Sequence, residues 1–200
     1  MSEGNALKLA IDLLHVPSRV RQVRTEALPD DVLILLEIAA GDSQAMHRAA
    51  DGTGRAPDLL LNAAAFFIEQ ILLAPGSDSY RVLGGNAQTT SSDLRRNMAL
   101  LLRWLHPDIE SNSSGNRSVF AGRVTLAWDD LKTAERRAAY DGLALDRGKK
   151  RSRRSKVGGH KRTVDKGTMG GRYVGKYAPP SQPPGRLWRA LLMLFGAAKH

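Results

Sequence analysis

The sequence predicts an all-α protein, and three observations support this fold class. Apolar residues recur at spacings of three and four in several segments, as they do on one face of an amphipathic helix. Proline with carboxylates marks expected helix starts, and glycine or proline marks expected ends. No window shows the alternation of apolar and polar residues that is typical of strands. With 200 residues, 42% of them hydrophobic, the chain is long enough for one domain or two small ones.

Residues 1–77 are predicted to form a helical N-terminal domain. A short first helix should end before Pro17, because proline disfavours helical geometry in the residue that precedes it. Residues 29–31, Pro-Asp-Asp, should open a second helix that extends to residue 40, since proline and carboxylates favour the first turn. A further short helix is expected over residues 43–50.

The strongest helical pattern of the chain covers residues 59–74. It follows Pro57 and Asp58, it ends before Pro75, and it is apolar nearly all round. A membrane span needs about 20 such residues, and this segment is shorter and contains Glu69. It is therefore predicted to be the central buried helix of the N-terminal domain.

Residues 80–141 contain two longer helical patterns separated by a polar loop. A short element or turn is expected at residues 83–86. Thr90 then has the position of an N-cap residue, with Asp93 three residues later, and opens a helix that Pro107 ends. A single long helix is predicted from residue 119 to residue 140. One face of that helix carries Phe120, Val124, Ala127 and Leu131.

The tripeptide His106-Pro107-Asp108 stands at the junction of these two helices, and motifs flank it on both sides. Tyr80-x-x-Leu83-Gly84 precedes it, and Arg136-Arg137-x-x-Tyr140-Asp141 closes the following helix. This layout, over residues 78–142, resembles a J-domain of the bacterial DnaJ type. J-domains are co-chaperone domains that stimulate the ATPase of DnaK-class heat-shock chaperones.

The J-domain resemblance implies both a core and a binding surface. The implied core residues are Tyr80, Leu83, Leu94, Met98, Leu101, Leu105, Ala127, Leu131 and Tyr140. The implied chaperone-binding residues are His106, Pro107, Asp108, Arg95, Arg96 and Arg103. In the family the aspartate of the loop engages an arginine of the chaperone. The domain performs no chemistry of its own, so the resemblance implies neither an enzyme nor a cofactor.

The chain departs from the family pattern on the exposed face of the first long helix. The family usually carries Lys or Arg where this chain has Ala99, Leu100 and Trp104. We therefore expect a thinner cationic docking face. We also expect the N-terminal helices, chiefly residues 59–74, to pack over Leu100 and Trp104 and to alter or partly occlude chaperone docking.

The basic residues are concentrated after the predicted J-domain. Residues 1–146 carry 15 Lys or Arg and 19 Asp or Glu, a net of −4, whereas residues 147–177 carry 12 basic residues and one acidic residue, a net of +11. We predict a disordered basic and proline-rich linker over residues 143–185, then a short amphipathic helix over residues 186–200. The densest cations are Lys149, Lys150, Arg151, Arg153, Arg154 and Lys156.

The basic tail leaves an alternative function open. The J-like fold would then be a scaffold, and the tail would bind nucleic acid or an anionic membrane surface, since dense cations attract phosphate. The N-terminal sequence is acidic and lacks the basic start and apolar run of a signal peptide. We expect a cytoplasmic protein that is either free or peripheral at the inner membrane surface.

Other chemistry has little support in the sequence. The chain has no cysteine, which excludes disulfides and thiolate metal sites. The histidines do not have metal-ligand spacing, and the pair Asp129-Asp130 fits an exposed helix face better than a catalytic pair. For His106 itself, a histidine near the carbonyl groups at a helix C-terminus is the alternative interpretation.

Overall fold

The computed structural model describes residues 5–106 and 117–143, and all regular structure in these two ranges is helical. The longer helices are α1 (Asn5–His15), α3 (Leu33–Ala39), α4 (Ser43–Thr53), α5 (Pro57–Phe67), α7 (Ser91–Trp104), α8 (Arg117–Leu131) and α9 (134–143). Two are single turns, α2 (Val20–Val23) and α6 (Ser79–Val82). No strand occurs in the described ranges, and the predicted all-α class is confirmed.

The ends of α3 and α4 follow from local chemistry. The Asp42 carboxylate accepts hydrogen bonds from the N–H groups of Gln44 (2.9 Å) and Ala45 (3.0 Å), which caps the start of α4. Gly41 (φ 80°) and Gly54 (φ 64°) adopt left-handed backbone conformations at the ends of the two helices. As a result, α4 runs three residues beyond the predicted residue 50.

The helix α5 is the buried centre of the N-terminal part, as predicted. It contacts α1 and α3, and the side chain of Phe67 is fully buried. The helix widens into a π-helical turn at Ile68–Leu72, where the N–H of Leu73 donates to the carbonyl of Ile68 (2.8 Å). No helix in the described part of the chain is long and apolar enough to cross a membrane.

The helices α7 and α8 form an antiparallel pair. Thr90 caps α7 as predicted, with its hydroxyl accepting from the N–H of Asp93 (3.1 Å). At the other end of α7, Arg117 of α8 donates to the carbonyl of His106 (3.0 Å). The helix that follows α8 returns to the start of α7, because Arg137 donates to the carbonyl of Ala87 (2.7 Å).

The region after residue 117 differs from its predicted single helix. The helix α8 ends at Leu131, and α9 begins at residue 134 after two non-helical residues. The hydroxyl of Thr133 accepts from the N–H of Arg136 (3.3 Å), as an N-cap residue does. The buried stripe of α8 also begins at Ala121, while Phe120 is only half-buried. A single turn of helix, α6, likewise lies before the turn that was expected at residues 83–86.

The side chain of Arg81 connects α6 to the N-terminal helices. Its guanidinium donates to the carbonyl groups of Val23 and Glu26 (both 2.8 Å) and to that of Ile71 (3.4 Å). Helices on both sides of the predicted boundary between residues 77 and 78 thus contact one another within one compact unit. The boundary itself stays a prediction. Residue 143, the first of the predicted linker, is the last residue of α9, and the rest of the linker and the terminal helix lie outside the described residues.

Candidate functional site

The candidate site is the corner at the C-terminal end of α7. The N–H of His106 donates to the carbonyl of Arg103 (3.1 Å), which closes the last turn of the helix. His106 is half-buried, and its own carbonyl accepts the Arg117 hydrogen bond from α8. This bond holds the two ends of the connecting loop together. Of the predicted loop residues, Pro107 and Asp108 lie outside the described residues.

One face of α7 is open to solvent and leads to this corner. The residues on this face follow one another at spacings of four, four and three, so they share one side of the helix. They are Arg95, Ala99, Arg103 and His106. Arg95 and Arg103 are exposed, whereas Ala99 is half-buried. Among the described residues, no ion pair involves Arg95. The open face therefore offers two cations to an approaching partner.

The opposite part of the α7 surface is buried on two sides. The predicted stripe Leu94, Met98, Leu101 and Leu105 is at most 8% exposed, and α7 contacts α8. We call these four residues the apolar side of α7. A second side of α7 consists of Arg96, Asn97, Leu100 and Trp104. We call it the polar side, after Arg96 and Asn97. Asn97 and Trp104 are buried there, and Leu100 is half-buried.

The helix that covers the polar side is α3, and this corrects the expectation for residues 59–74. Contacts join α3 to α7, and they include an ion pair between Glu37 and Arg96. Residues 59–74 instead pack against α1 and α3, because their nearly all-round apolar surface is satisfied in the centre of the N-terminal helices. The burial of Trp104, which is 4% exposed, agrees with the expected covering of this side.

One acidic group of the N-terminal helices, Glu37, pairs with a cation of α7, Arg96. Glu37 is only 8% exposed, and its carboxylate also lies 3.5 Å from the guanidinium of Arg48. The N–H groups of Ala45 and Gln44, with the charges of Arg48 and Arg103, hold the pKa of Asp42 below its usual value. One of the three predicted docking arginines, Arg96, therefore forms an ion pair with a carboxylate of the same chain.

A cluster of four motif residues lies at the other end of the helix pair. The Tyr80 hydroxyl donates to the Asp141 carboxylate (2.9 Å) and accepts from Arg137 (2.9 Å). The Arg137 guanidinium lies 5.1 Å from the centre of the Tyr80 ring, and the rings of Tyr80 and Tyr140 pack edge to face at 5.8 Å. Burial and the bond to Asp141 raise the pKa of Tyr80. We call these four residues the tyrosine cluster.

The remaining predicted core residues are buried with one exception. Leu83, Ala127 and Leu131 are at most 3% exposed, while Tyr140 is half-buried. Its hydroxyl accepts from the N–H of Ser79 (2.8 Å). Gly84, the last residue of the opening motif, has a φ of 65°. This left-handed conformation favours glycine and lets the chain turn from α6 toward α7.

Two residues of the site region were missed in the sequence. Asn97 is buried and donates to the carbonyl of Leu83 (2.9 Å), and Glu37 holds Arg96. The sequence did contain an indication for Glu37. It is a charged residue inside the apolar run of α3, and a buried acid requires a partner. In the described ranges, no group of three His, Asp or Glu side chains is arranged to hold a metal.

Comparisons with known proteins found no match. No protein-family model matches the chain, and no curated protein or solved structure matches it significantly.

Proposed function

We propose that this protein is a J-domain co-chaperone that stimulates a DnaK-class ATPase. The tyrosine cluster carries the proposal. Its residues come from the two ends of the segment 78–142, where the sequence resembles the family's opening and closing motifs. They meet in space although 57 positions separate Tyr80 from Arg137. The antiparallel pair α7 and α8 further supports the proposal, because Arg117 donates to the carbonyl of His106 and so closes the corner that ends in His106.

The proposed mechanism is differential binding without chemistry. Arg95 and Arg103 on the open face of α7 would attract an acidic surface of the chaperone, and Asp108 would engage an arginine of its ATPase. Binding to one conformation of the chaperone more tightly than to another shifts its population toward that conformation. If the favoured conformation is the one that hydrolyses ATP, turnover rises without any catalytic group from this chain.

The decisive test is ATP turnover by a purified DnaK-class chaperone with the full-length protein and with Asp108→Asn. We expect the native protein to stimulate turnover and the variant to lose that stimulation, because the amide removes the charge that binds the chaperone arginine. Asp12→Asn, on the exposed side of α1, is the matched control and should stimulate fully. Absence of stimulation by the native protein would reject the proposal. Equal stimulation by Asp108→Asn would reject the role of the loop.

The charge distribution supports a second candidate function for the tail. Residues 147–177 carry a net charge of +11, against −4 for residues 1–146. Such a run binds polyanions through counterion release, so the affinity should fall steeply with salt. Replacing the six densest tail cations by Gln in the full chain should weaken binding to DNA, RNA or anionic vesicles and reduce its salt dependence. Unchanged binding would assign the contact to another part of the protein.

A further inference from the structure

The network of charges between the N-terminal helices and α7 competes with the proposed docking surface. Glu37, at the C-terminal half of α3, binds Arg96 of α7 and Arg48 of α4. Two arginines thus share one carboxylate, and Arg96 is also a cation that a chaperone would need.

We propose that α3, through Glu37, forms an intramolecular competitor that masks Arg96 and lowers the affinity for the chaperone. This inference rests on the proposed co-chaperone function and describes its regulation. A chaperone carboxylate can bind Arg96 fully only when Arg96 leaves Glu37. The free energy of that internal pair is then subtracted from the free energy of docking.

Geometry makes Glu37 an effective competitor and keeps the contact reversible. The Glu37 side chain is 11% exposed, so it is held in place by its neighbours and loses little freedom when it binds Arg96. The Arg96 side chain is 55% exposed, so its guanidinium can move to an external partner without opening the core. Its attraction to Glu37 is correspondingly screened by water.

Arg95 provides the internal reference for this competition. It is adjacent in sequence, exposed, and outside every ion pair within the described ranges. Its contribution to docking should therefore not depend on Glu37. A general effect of net charge would change the contributions of both arginines, whereas the masking acts on Arg96 alone.

The test is a double-mutant cycle on the full-length protein, with the dissociation constant for the DnaK-class chaperone as the readout. Glu37→Gln should bind about threefold more tightly, the gain expected when one partly exposed ion pair no longer competes. Arg96→Gln should remove that gain in the Glu37→Gln background, and should weaken docking less in the native background than in the Glu37→Gln background. Arg95→Gln should weaken docking equally in both backgrounds. Asp12→Asn controls for the change of one unit of net charge.

A second substitution, with the opposite expected effect on docking, keeps the test decisive if Glu37→Gln folds poorly. Arg48→Gln removes the competitor of Arg96 for Glu37, so docking should weaken, whereas exposed Arg55→Gln should change it less. A gain in Glu37→Gln that survives Arg96→Gln, or no gain, would overturn the masking. If the native protein stimulates the ATPase but these variants do not differ, only the masking fails. If the native protein neither binds nor stimulates, the co-chaperone proposal fails and the masking with it.

Discussion

The two buried sides of α7 differ in how they are held. On the apolar side, Leu94 and Leu101 are fully buried without any polar group. On the polar side, Asn97 donates to the carbonyl of Leu83 and Arg96 pairs with Glu37. The apolar side is stabilised by burial, which has no preferred direction. On the polar side, directed contacts add to the burial of Trp104, and the exposed one, from Arg96, can be exchanged for a contact with another molecule.

This difference assigns separate roles to the two sides of one helix. Loss of a methyl group on the apolar side leaves a cavity in a close-packed interior. Loss of a charge on the polar side costs little, because water replaces the partner at an exposed guanidinium. We therefore expect stability to depend mainly on the apolar side and the strength of docking mainly on the polar side.

The largest expected effect is from Leu101→Ala on the apolar side. The substitution should lower the free energy of unfolding by about 3 kcal/mol, from lost burial and the cavity that remains. Urea unfolding followed by circular dichroism measures it. The neighbour Leu102, which is half-buried, is the control, and Leu102→Ala should cost less than half as much. Equal costs would show that the apolar side is not the main support of α7.

The next effect is from Asn97→Ala on the polar side. It should cost about 2 kcal/mol, because the buried carbonyl of Leu83 loses its donor from the side chain. The same unfolding measurement applies. Asn62→Ala, at an exposed position of α5, should be close to neutral. A neutral Asn97→Ala would mean that this hydrogen bond does not fix the junction of α6 and α7.

A smaller effect is expected from Glu37→Gln. The amide still fits the site and can accept a hydrogen bond from Arg96, so the free energy of unfolding should fall by only about 0.7 kcal/mol. The loss should shrink in 1 M salt, where charges are screened over a few ångströms. Thermal melting at low and high salt measures both. A loss as large as that of Leu101→Ala would contradict the division of roles.

The smallest effect concerns Asp42 and pH. Its folded pKa is lowered, so its charge contributes stability above the unfolded value of 3.8, and that contribution is lost as the pH falls through the folded pKa. Asp42→Asn keeps a good N-cap but should show a shallower fall of the melting temperature below pH 3.8 than the native protein. Parallel melting curves from pH 5 to pH 2 test this. Identical slopes would show that the charge of Asp42 does not contribute to stability.

Local chemistry made much of the helical pattern predictable. Thr90 with Asp93 predicted the start of α7, and glycine predicted the end of α3, because caps depend on residues within one turn. The interruption between α8 and α9 was not predicted, since residues 132–133 contain neither glycine nor proline. Thr133 is a good cap residue, but threonine also occurs inside helices, so its role depends on packing.

The candidate site was predictable only where it follows the family motifs. The exposed Arg95 and the buried apolar side agree with the spacing of residues along one helix. The pairing of Arg96 with Glu37 joins positions 59 residues apart, and no local pattern indicates which of many carboxylates a given arginine will meet. For the same reason, the sequence suggested residues 59–74 as the cover of α7, whereas α3 covers it.

The position of Arg81 limits how this protein can be divided. It belongs to the segment that resembles a J-domain, but its acceptors at Val23, Glu26 and Ile71 all belong to the preceding helices. Cutting the chain at residue 78 would separate the guanidinium from all three carbonyl groups at once. The N-terminal helices and the segment 78–142 are therefore expected to be less stable apart than together.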